Sequence, residues 1–398
     1  MSNSLVTIDM VTREALRIAH EKCQFIGTVD RQYDDSFAKT GAKIGTALRV
    51  RKPNQYTRTT GSRVMDVQDQ TESNGTITVA TQDHVDMRFN SAELALSIDE
   101  ISKRYIEPAV SVLVSGIEAD FLAFAAKSTY NLVGTDNTAI TTLDVPGKAR
   151  ARLNQCLAPK SDRSIQVDSV TMGSLVNGMA SYFNPSSAIG DQYKEGLIAR
   201  TAMADYYENE RVWSMPNAAD VATTLDTYTV TEGDADITVA ALSAAPVAGM
   251  VFTIAGVYDV HPETKTAYSH LKQFVVGTGS TTTNVVFSPA PYSSASGALQ
   301  NVSAMPATTA AVTFFGTASK TYVQPLMYHK EAFQFVTADL PLMDDAAKCV
   351  RRMQDGLSMR VWQASDIRND ELLMRIDILY GMAALRPEWA CRLSGLYN

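Results

Sequence analysis

The sequence predicts an α+β chain that carries a separate all-β segment, and three observations predict it. Val110, Leu113, Val114, Ile117, Phe121 and Phe124 recur at three- and four-residue spacing, the pattern of one helix face. Near the C-terminus Leu357, Met359 and Val361 alternate, as do Leu372, Met374, Ile376, Ile378 and Tyr380, giving two strands joined by the polar turn SDIRND. Between these regions, from Gln273 to Ser319, there is not one Asp, Glu, Lys or Arg, and short apolar runs alternate with turn residues.

A chain of 398 residues holds more than one sizeable core, and 45% apolar content is that of an ordinary globular protein. The formal net charge of −8 argues against a protein that grips and reads nucleic acid, which needs a basic face. It is compatible with one that merely encloses nucleic acid. Cys23, Cys156, Cys349 and Cys391 are scattered without a CxxC pair, as expected of a reducing compartment. The opening MSNSLVTIDM has no basic region followed by an apolar one, so no secretory signal is expected. No run approaches the roughly 18 apolar residues of a membrane span, and no membrane partner is expected.

In chain order, Thr7 to Lys22 reads as a short amphipathic helix or arm, with Val11, Ala15, Leu16, Ile18 and Ala19 on one face. Thr28 to Ser36 reads as a polar connector. Charge then segregates. Ser36 to Met65 holds Lys39, Lys43, Arg49, Arg51, Lys52, Arg58 and Arg63 and no acid. Asp66 to Asp99 holds Asp66, Asp69, Glu72, Asp83, Asp86, Glu93 and Asp99 against Arg88. Thr76 to Phe89 alternates like a strand after the turn Ser73–Gly75, so Asn54 to Asn90 reads as a long two-stranded excursion. An isolated hairpin is marginal in water, which implies a partner surface, most simply a second copy of the chain.

Ser97 with Glu100 fits a capping box for a short helix to Glu107, and Pro108 suits the first turn of the next, which runs to about Lys127 over roughly 30 Å. Gly134 to Asn217 reads as mixed α/β, with helices in PGKARARLNQCLA and SLVNGMASYF, a strand in IQVDSVTMG, and a loop and helix through NPSSAIGDQYKEGLIARTAMADYYEN. An all-β segment is expected at 222–320, after which the mixed fold resumes.

Catalytic signatures are absent from the pattern. His20, His84, His261, His270 and His329 show no HExxH spacing, and His261, Glu263 and His270 read as a solvated loop rather than a metal site. Gly277 to Thr283 (GTGSTTT) lacks the Lys and helix of a phosphate loop and reads as a turn. Asp344 and Asp345 precede AAKCVRRMQ, read as a helix whose N-terminus they complement. The stretch Lys39 to Arg63 has only Tyr56 as an interleaved aromatic, so a subunit contact suits it better than a nucleic-acid patch, with the acidic stretch as its complement in cis or on a neighbour. No catalytic, cofactor-binding or metal-ligating residue is assigned, no cofactor is expected, and the chain is not read as an enzyme.

The order of these parts resembles the major capsid proteins of tailed phages with the Hong Kong 97 fold. More narrowly, it is similar to short-tailed-phage coat proteins that carry an inserted immunoglobulin-like (telokin-like) domain. The residues that carry the resemblance are TVDRQ (28–32), ALRVRKP (47–53), YIEPAVSVLVSGIEADFLAF (105–124), FFGTASKTYVQPLMYHKEAFQFVTADLP (314–341) and LSMRVWQASDIRNDELLMRIDILYGMAALRP (357–387). The resemblance implies an N-terminal arm at 1–30, part of a peripheral domain at 31–53, and an extended loop at 54–90 lying over an adjacent subunit. It further implies the peripheral domain with its spine helix at 91–134, an axial domain at 135–221, the inserted β domain at 222–320, an axial return at 321–355 and peripheral C-terminal strands at 356–398.

By function it implies an icosahedral shell around double-stranded DNA, built of hexamers and pentamers, with a portal protein at one vertex. The site of action would be the virion, after assembly in the bacterial cytoplasm. A separate scaffolding protein is expected because only about 30 residues precede the hairpin region. The family's namesake cross-links through a lysine in the extended loop, but here no lysine lies between Lys52 and Lys103, so no such covalent mesh is expected. A tail-tube or decoration subunit is the alternative reading.

Overall fold

The computed structural model describes residues 8–34, 47–51, 53–58, 60–61, 74–90, 102–179, 204–226, 230–342, 348–354, 356–366 and 371–396. The chain divides into two compact units. One takes Met1–Val50, Gly75–Phe121 and Phe333–Leu385, the other Arg51–Asn74, Leu122–Ala332 and Arg386–Asn398.

In chain order the elements are α1 (Ile8–Lys22), a single turn α2 (Phe25–Thr28), β1 (Asp30–Asp34), β2 (Ala47–Arg51), β3 (Asn74–Thr78) and β4 (Thr81–Asn90). A π-helical turn, Ser102–Ile106, runs directly into α3 (Glu107–Ser128). Then come β5 (Leu132–Gly134), α4 (Asp144–Gln155), β6 (Arg163–Val167), α5 (Ser169–Met179), β7 (Asp205–Glu208) and β8 (Ser214–Pro216). Six strands follow: β9 (Ala222–Thr224), β10 (Asp236–Thr238), β11 (Val251–Val260), β12 (Ala267–Val276), β13 (Asn284–Ser288) and β14 (Ala311–Phe314). The chain closes with β15 (Thr321–Val323), β16 (Leu326–His329), β17 (Phe333–Ala338), β18 (Lys348–Gln354), β19 (Leu357–Asp366), β20 (Glu371–Ala384) and β21 (Ala390–Ser394).

The first unit is built on the 14-residue strand β20. β4 pairs along one side of it from Glu371 to Tyr380. On the other side β19 pairs with its first half and β17 with its second, and β1 and β18 extend the sheet. Period-two alternation sends Met374, Ile376, Ile378 and Tyr380 to one face together with Leu357, Met359, Val361 and Phe335. There α1 offers Val11, Ala15, Leu16, Ile18 and Ala19 and α3 offers Val110, Leu113, Val114, Ile117 and Phe121, all buried. At roughly 1.5–3 kcal/mol for each large apolar side chain taken out of water, this face is the unit's main adhesive. On the opposite face a smaller cluster joins Ile77 and Val79 to Val336, Ala338, Leu340, Leu379 and Ala383.

The second unit holds a five-stranded sheet in the order β5-β21-β16-β6-β7, with Ala149 and Leu153 of α4 and Met172 and Leu175 of α5 in its core. β8 and β15 pair with each other, and between them the six strands β9–β14 pair in the order β10-β13-β12-β11-β14-β9. The bridge Leu225↔Val239 and the bond from Ala240 N to Thr224 O (2.8 Å) join the two ends of that order, so the sheet closes on itself. Its interior is a knot of Phe252, Phe274, Phe287 and Phe314, with ring centroids 5.3–5.9 Å apart in the packed pairs.

Several expectations are corrected. Of the expected arm at 1–30, Ile8–Lys22 is the amphipathic helix that the stripe predicts, and that stripe is buried in the first unit. The polar connector contains β1, parallel to β17, so strand pairing overrides its polar composition. In its described part Asn54–Asn90 does not pair with itself: β3 pairs with β2, and β4 with β20. The helix expected after Asp344 and Asp345 is the edge strand β18, where partnership with β19 outweighs the helix propensity of AAKCVRRMQ.

The expected helix near YYEN is the strand β7, while residues 180–203 lie outside those described, as do Ser97 and Glu100. Of the expected axial return at 321–355, β17 and β18 belong to the first unit's sheet. Of the expected peripheral strands at 356–398, β21 belongs to the second unit's sheet. Of the span 91–134, the part from Leu122 onward falls in the second unit. The expectation that no run approaches a membrane span is also corrected: Arg104–Ser128 is long and apolar enough by length and composition, because its core-facing stripe is apolar, and half of its apolar window is buried within the protein.

Candidate subunit-contact surfaces

Beyond the cluster around Ile77 and Val79, the second face of the first unit's sheet is charged, and its charges are matched in register. Arg360 and Asp377 are opposite residues of β19 and β20. The guanidinium grips the carboxylate at two points, Nε to Oδ1 at 3.0 Å and Nη2 to Oδ2, while Nη1 donates to the carbonyl of Pro341 at 2.7 Å. Gln82 on β4 adds a bond to Asp377 Oδ2 at 3.0 Å. One pleat along, Arg375 opposes Asp86 of β4 and binds both its oxygens at 2.6 and 3.1 Å, and Trp362 lies under Arg360 and Arg375 at 5.4 and 5.7 Å. Hydrogen bonding from Arg375 holds the Asp86 carboxyl below the ordinary carboxylate range.

On the β18 side Arg351 pairs with Asp339 at 3.1 Å, and Ser358 donates to the same carboxylate at 2.6 Å. On the β4 side Arg88 pairs with Glu371 at 3.1 Å. The charges of this platform are matched in pairs, and His84 of β4 lies 3.2 Å from Asp86. Among the described residues its long edges, β4 and β18, each pair on one side only. Open edges carrying charged side chains resist indiscriminate sheet growth yet remain able to meet a specific partner.

In the second unit the closed sheet is fastened to its surroundings by polar contacts. Gln273 on β12 serves as a surrogate strand partner for Leu132: its Oε1 accepts from Leu132 N at 2.9 Å, and its Nε2 donates to Leu132 O at 2.8 Å. Tyr322 donates to Asp136, and Thr317 does the same at 2.8 Å. Lys272 lies over the Tyr130 ring at 5.1 Å and holds Asp259 Oδ1 at 2.8 Å. His270 approaches Asp259 Oδ2 at 3.4 Å and Arg152 approaches it at 3.9 Å. Burial alone would raise the Asp259 pKa, but the His270 contact and the charge and hydrogen bond of Lys272 outweigh it and bring the carboxyl down to about 2. Arg392 is fully buried and donates to Gly249 O at 2.7 Å, and burial pushes its pKa down to about 9.

Of the residues weighed from sequence, His261 Nδ1 accepts from the backbone of Glu263 and Thr264, both at 3.1 Å, which makes it the cap of a turn. His270 instead stacks on Tyr268 at 5.1 Å, so the two histidines do different work. Among the described residues no group of three His, Cys, Asp or Glu could hold a metal ion. Gly277 to Thr283 is the β12–β13 turn, pinned by Ser280 Oγ accepting from Val286 N at 3.1 Å. Asp344 and Asp345 lie outside the described residues, as do Lys39, Lys43, Lys52, Arg63, Asp66, Asp69, Glu72, Glu93 and Asp99. Where the acidic stretch is described, Tyr380 of β20 donates to Asp83 and Arg375 of β20 to Asp86.

Sequence reasoning missed the ladder Arg360–Asp377–Arg375–Asp86, Glu118 and Arg392. The signal was Asp377 between Ile376 and Ile378: an acid inside a buried strand demands a cation across the ladder.

Residues 212–395 match the family model described as "P22 coat protein - gene protein 5". Among solved structures, one titled "Mycobacterium phage Che8" is similar at 10% identity and TM-score 0.49, covering 93% of this chain and 90% of the other. One titled "Asymmetric unit of bacteriophage PhiM1 mature capsid" is similar at 11% identity and TM-score 0.45, covering 93% and 86%. The "CUS-3 coat protein I-domain" is similar at 30% identity and TM-score 0.19, covering 25% of this chain and 97% of that one. No curated protein sequence matches the chain.

Proposed function

We propose that this chain is a tailed-phage major capsid protein of the Hong Kong 97 type, of the kind that its residues 212–395 match in the P22 coat protein family model, and that it builds the phage head as hexamers and pentamers of itself. The observation that carries the reading is the family match, which takes in the strands β9–β14, their entry and exit, and the long C-terminal strands. The protein resides in the virion, and proteins of this family are structural rather than catalytic.

The finer reading follows from the residues. The net charge of −8 suits a container that releases its double-stranded DNA rather than gripping it. The exposed charges at the β4 side of that face, Arg375 with Asp86 and Arg88 with Glu371, would give subunits a surface to meet on, and the segment 54–90 would reach a neighbour with its residues outside β3 and β4. The closed sheet β9–β14 would be the inserted immunoglobulin-like domain, stiffening the subunit. Its contacts through Gln273, Asp136 and Lys272 support that role. A separate scaffolding protein would set shell size during assembly in the host cytoplasm, and a portal would occupy one vertex. With no lysine between Lys52 and Lys103, the shell would be held non-covalently, and its subunits would separate fully in denaturing gels.

Negative-stain electron microscopy of the purified protein, with and without coexpressed scaffold, tests this. Closed shells of uniform size with scaffold, and aberrant ones without it, are expected. Tubes alone would favour a tail subunit, and a monomer under every condition would overturn the reading.

A further inference from the structure

We propose that the cleft between α4 and β12 in the second unit is a phosphate-binding site. Its walls are Lys148, Ala151, Arg152 and Gln155 on one stripe of α4, with Val133 of β5 and His270 of β12 opposite. The spacing of three and four residues puts the α4 side chains in one row, and the small Ala151 leaves the row concave. In a chain of net charge −8, Lys148, Arg152 and His270 bring three nitrogen bases to one hollow.

The charge count favours an anion there. The acids near the cleft are Asp144 and Asp259, and each has a closer partner than Arg152, His270 among those of Asp259 at 3.4 Å. Lys148 takes Asp144 at 2.6 Å, and Lys272 takes Asp259 at 2.8 Å. Arg152 stands 3.9 Å from Asp259 Oδ2, beyond hydrogen-bond reach, and among the described residues its guanidinium donates no hydrogen bond.

Gln155 Oε1 is buried with no hydrogen-bond partner among the described residues, and its amide can turn to present its NH2 group instead. Arg152 and, once turned, Gln155 thus flank the cleft as donors, with Lys148 and His270 beside them keeping Asp144 and Asp259 as partners. A planar carboxylate is satisfied by one arginine fork, whereas a tetrahedral oxyanion uses both donors. The ligand class is therefore a phosphate, either free or as a diester.

Calorimetric titration of the full chain with sodium phosphate at constant ionic strength tests this. Saturable binding is expected, weakened at least tenfold in Arg152→Gln. Lys148→Gln sits on an exposed rim where folding is not at stake, and it should bind at least threefold more weakly while melting like the unsubstituted chain. A short DNA duplex that competes with phosphate would assign the oxyanion to a diester, and one that does not would assign it to free phosphate. No saturable binding, equal binding in both variants, or competition by acetate as effective as that by phosphate would overturn the proposal.

Discussion

Arg360 and Asp377 face each other across β19 and β20 in a two-point ion pair shut off from solvent, with 4% and 0% of their side chains exposed. Such a pair adds little over two well-packed apolar residues, but losing one member strands the other in a medium that cannot solvate it. Arg360→Met is expected to cost about 3–5 kcal/mol, and the double variant Arg360→Met/Asp377→Leu to recover most of that loss. Urea unfolding of the unassembled chain measures both. Equal losses in the single and double variants would mean that shape, not charge, governs this position.

Gly381 lies in the middle of β20, where a glycine ordinarily weakens a strand. Here it admits another backbone: a Cβ at this position would fall 2.4 Å from Thr78 O and 3.0 Å from Val79 Cα. Gly381→Ala should push β3 off the sheet and lower stability by about 1–3 kcal/mol. Gly116→Ala, in α3 with nothing within 4 Å, should raise stability by up to about 1 kcal/mol through helix propensity. Opposite shifts in melting temperature are the expected result, and shifts of the same sign would refute the close-approach argument.

What the sequence made legible was whatever repeats with a fixed period and buries a face. The stripe of α3, the alternation of β19 and β20 and the uncharged run through β12–β14 all do so, and each stands where its pattern placed it. Strand partnership was not legible, because pairing is decided by residues distant in the chain. Asp30–Asp34 carries two acids and no apolar run, yet it forms β1 because β17 offers an unpaired edge. Lys348–Gln354 holds five good helix formers, with Cys349 and Val350 the exceptions, and is a strand because β19 offers it an edge. The charged ladder stayed hidden because Asp86 and Arg375 are 289 positions apart and meet only once register is set. The α4–β12 cleft was half visible: Lys148 and Arg152 were in a predicted helix, but nothing local tied them to His270.

Glu118 is the one acid on the buried stripe of α3, and it is wholly enclosed. Its Oε1 accepts from the backbone N–H groups of Gln24, Phe25 and Ile26 at 2.6, 2.8 and 3.4 Å, at the N-terminus of α2. A helix start presents such donors unpaired, and a carboxylate satisfies them better than a neutral acceptor. Glu118→Gln keeps an acceptor and should cost about 1–3 kcal/mol, while Glu118→Ala leaves the donors buried and should cost more. Chemical denaturation ranks the three proteins, and an alanine variant as stable as the glutamine one would show that water replaces the carboxylate.

Asp259 gives the chain an acid limb. Its carboxyl falls to about 2 in the folded protein from 3.8, because His270 and Lys272 outweigh the cost of burial. The folded state therefore holds this proton less tightly than the unfolded chain does. The resulting stability, about 2 kcal/mol, is fully present above the unfolded value and is lost as the pH falls through the folded one. Asp259→Asn should be less stable than the unsubstituted protein at pH 7, and the gap should shrink progressively from about pH 5 towards pH 2. Unfolding of both proteins across that range is the measurement. A gap that stays constant with pH would mean that Asp259 contributes through its hydrogen bonds alone and not through its charge.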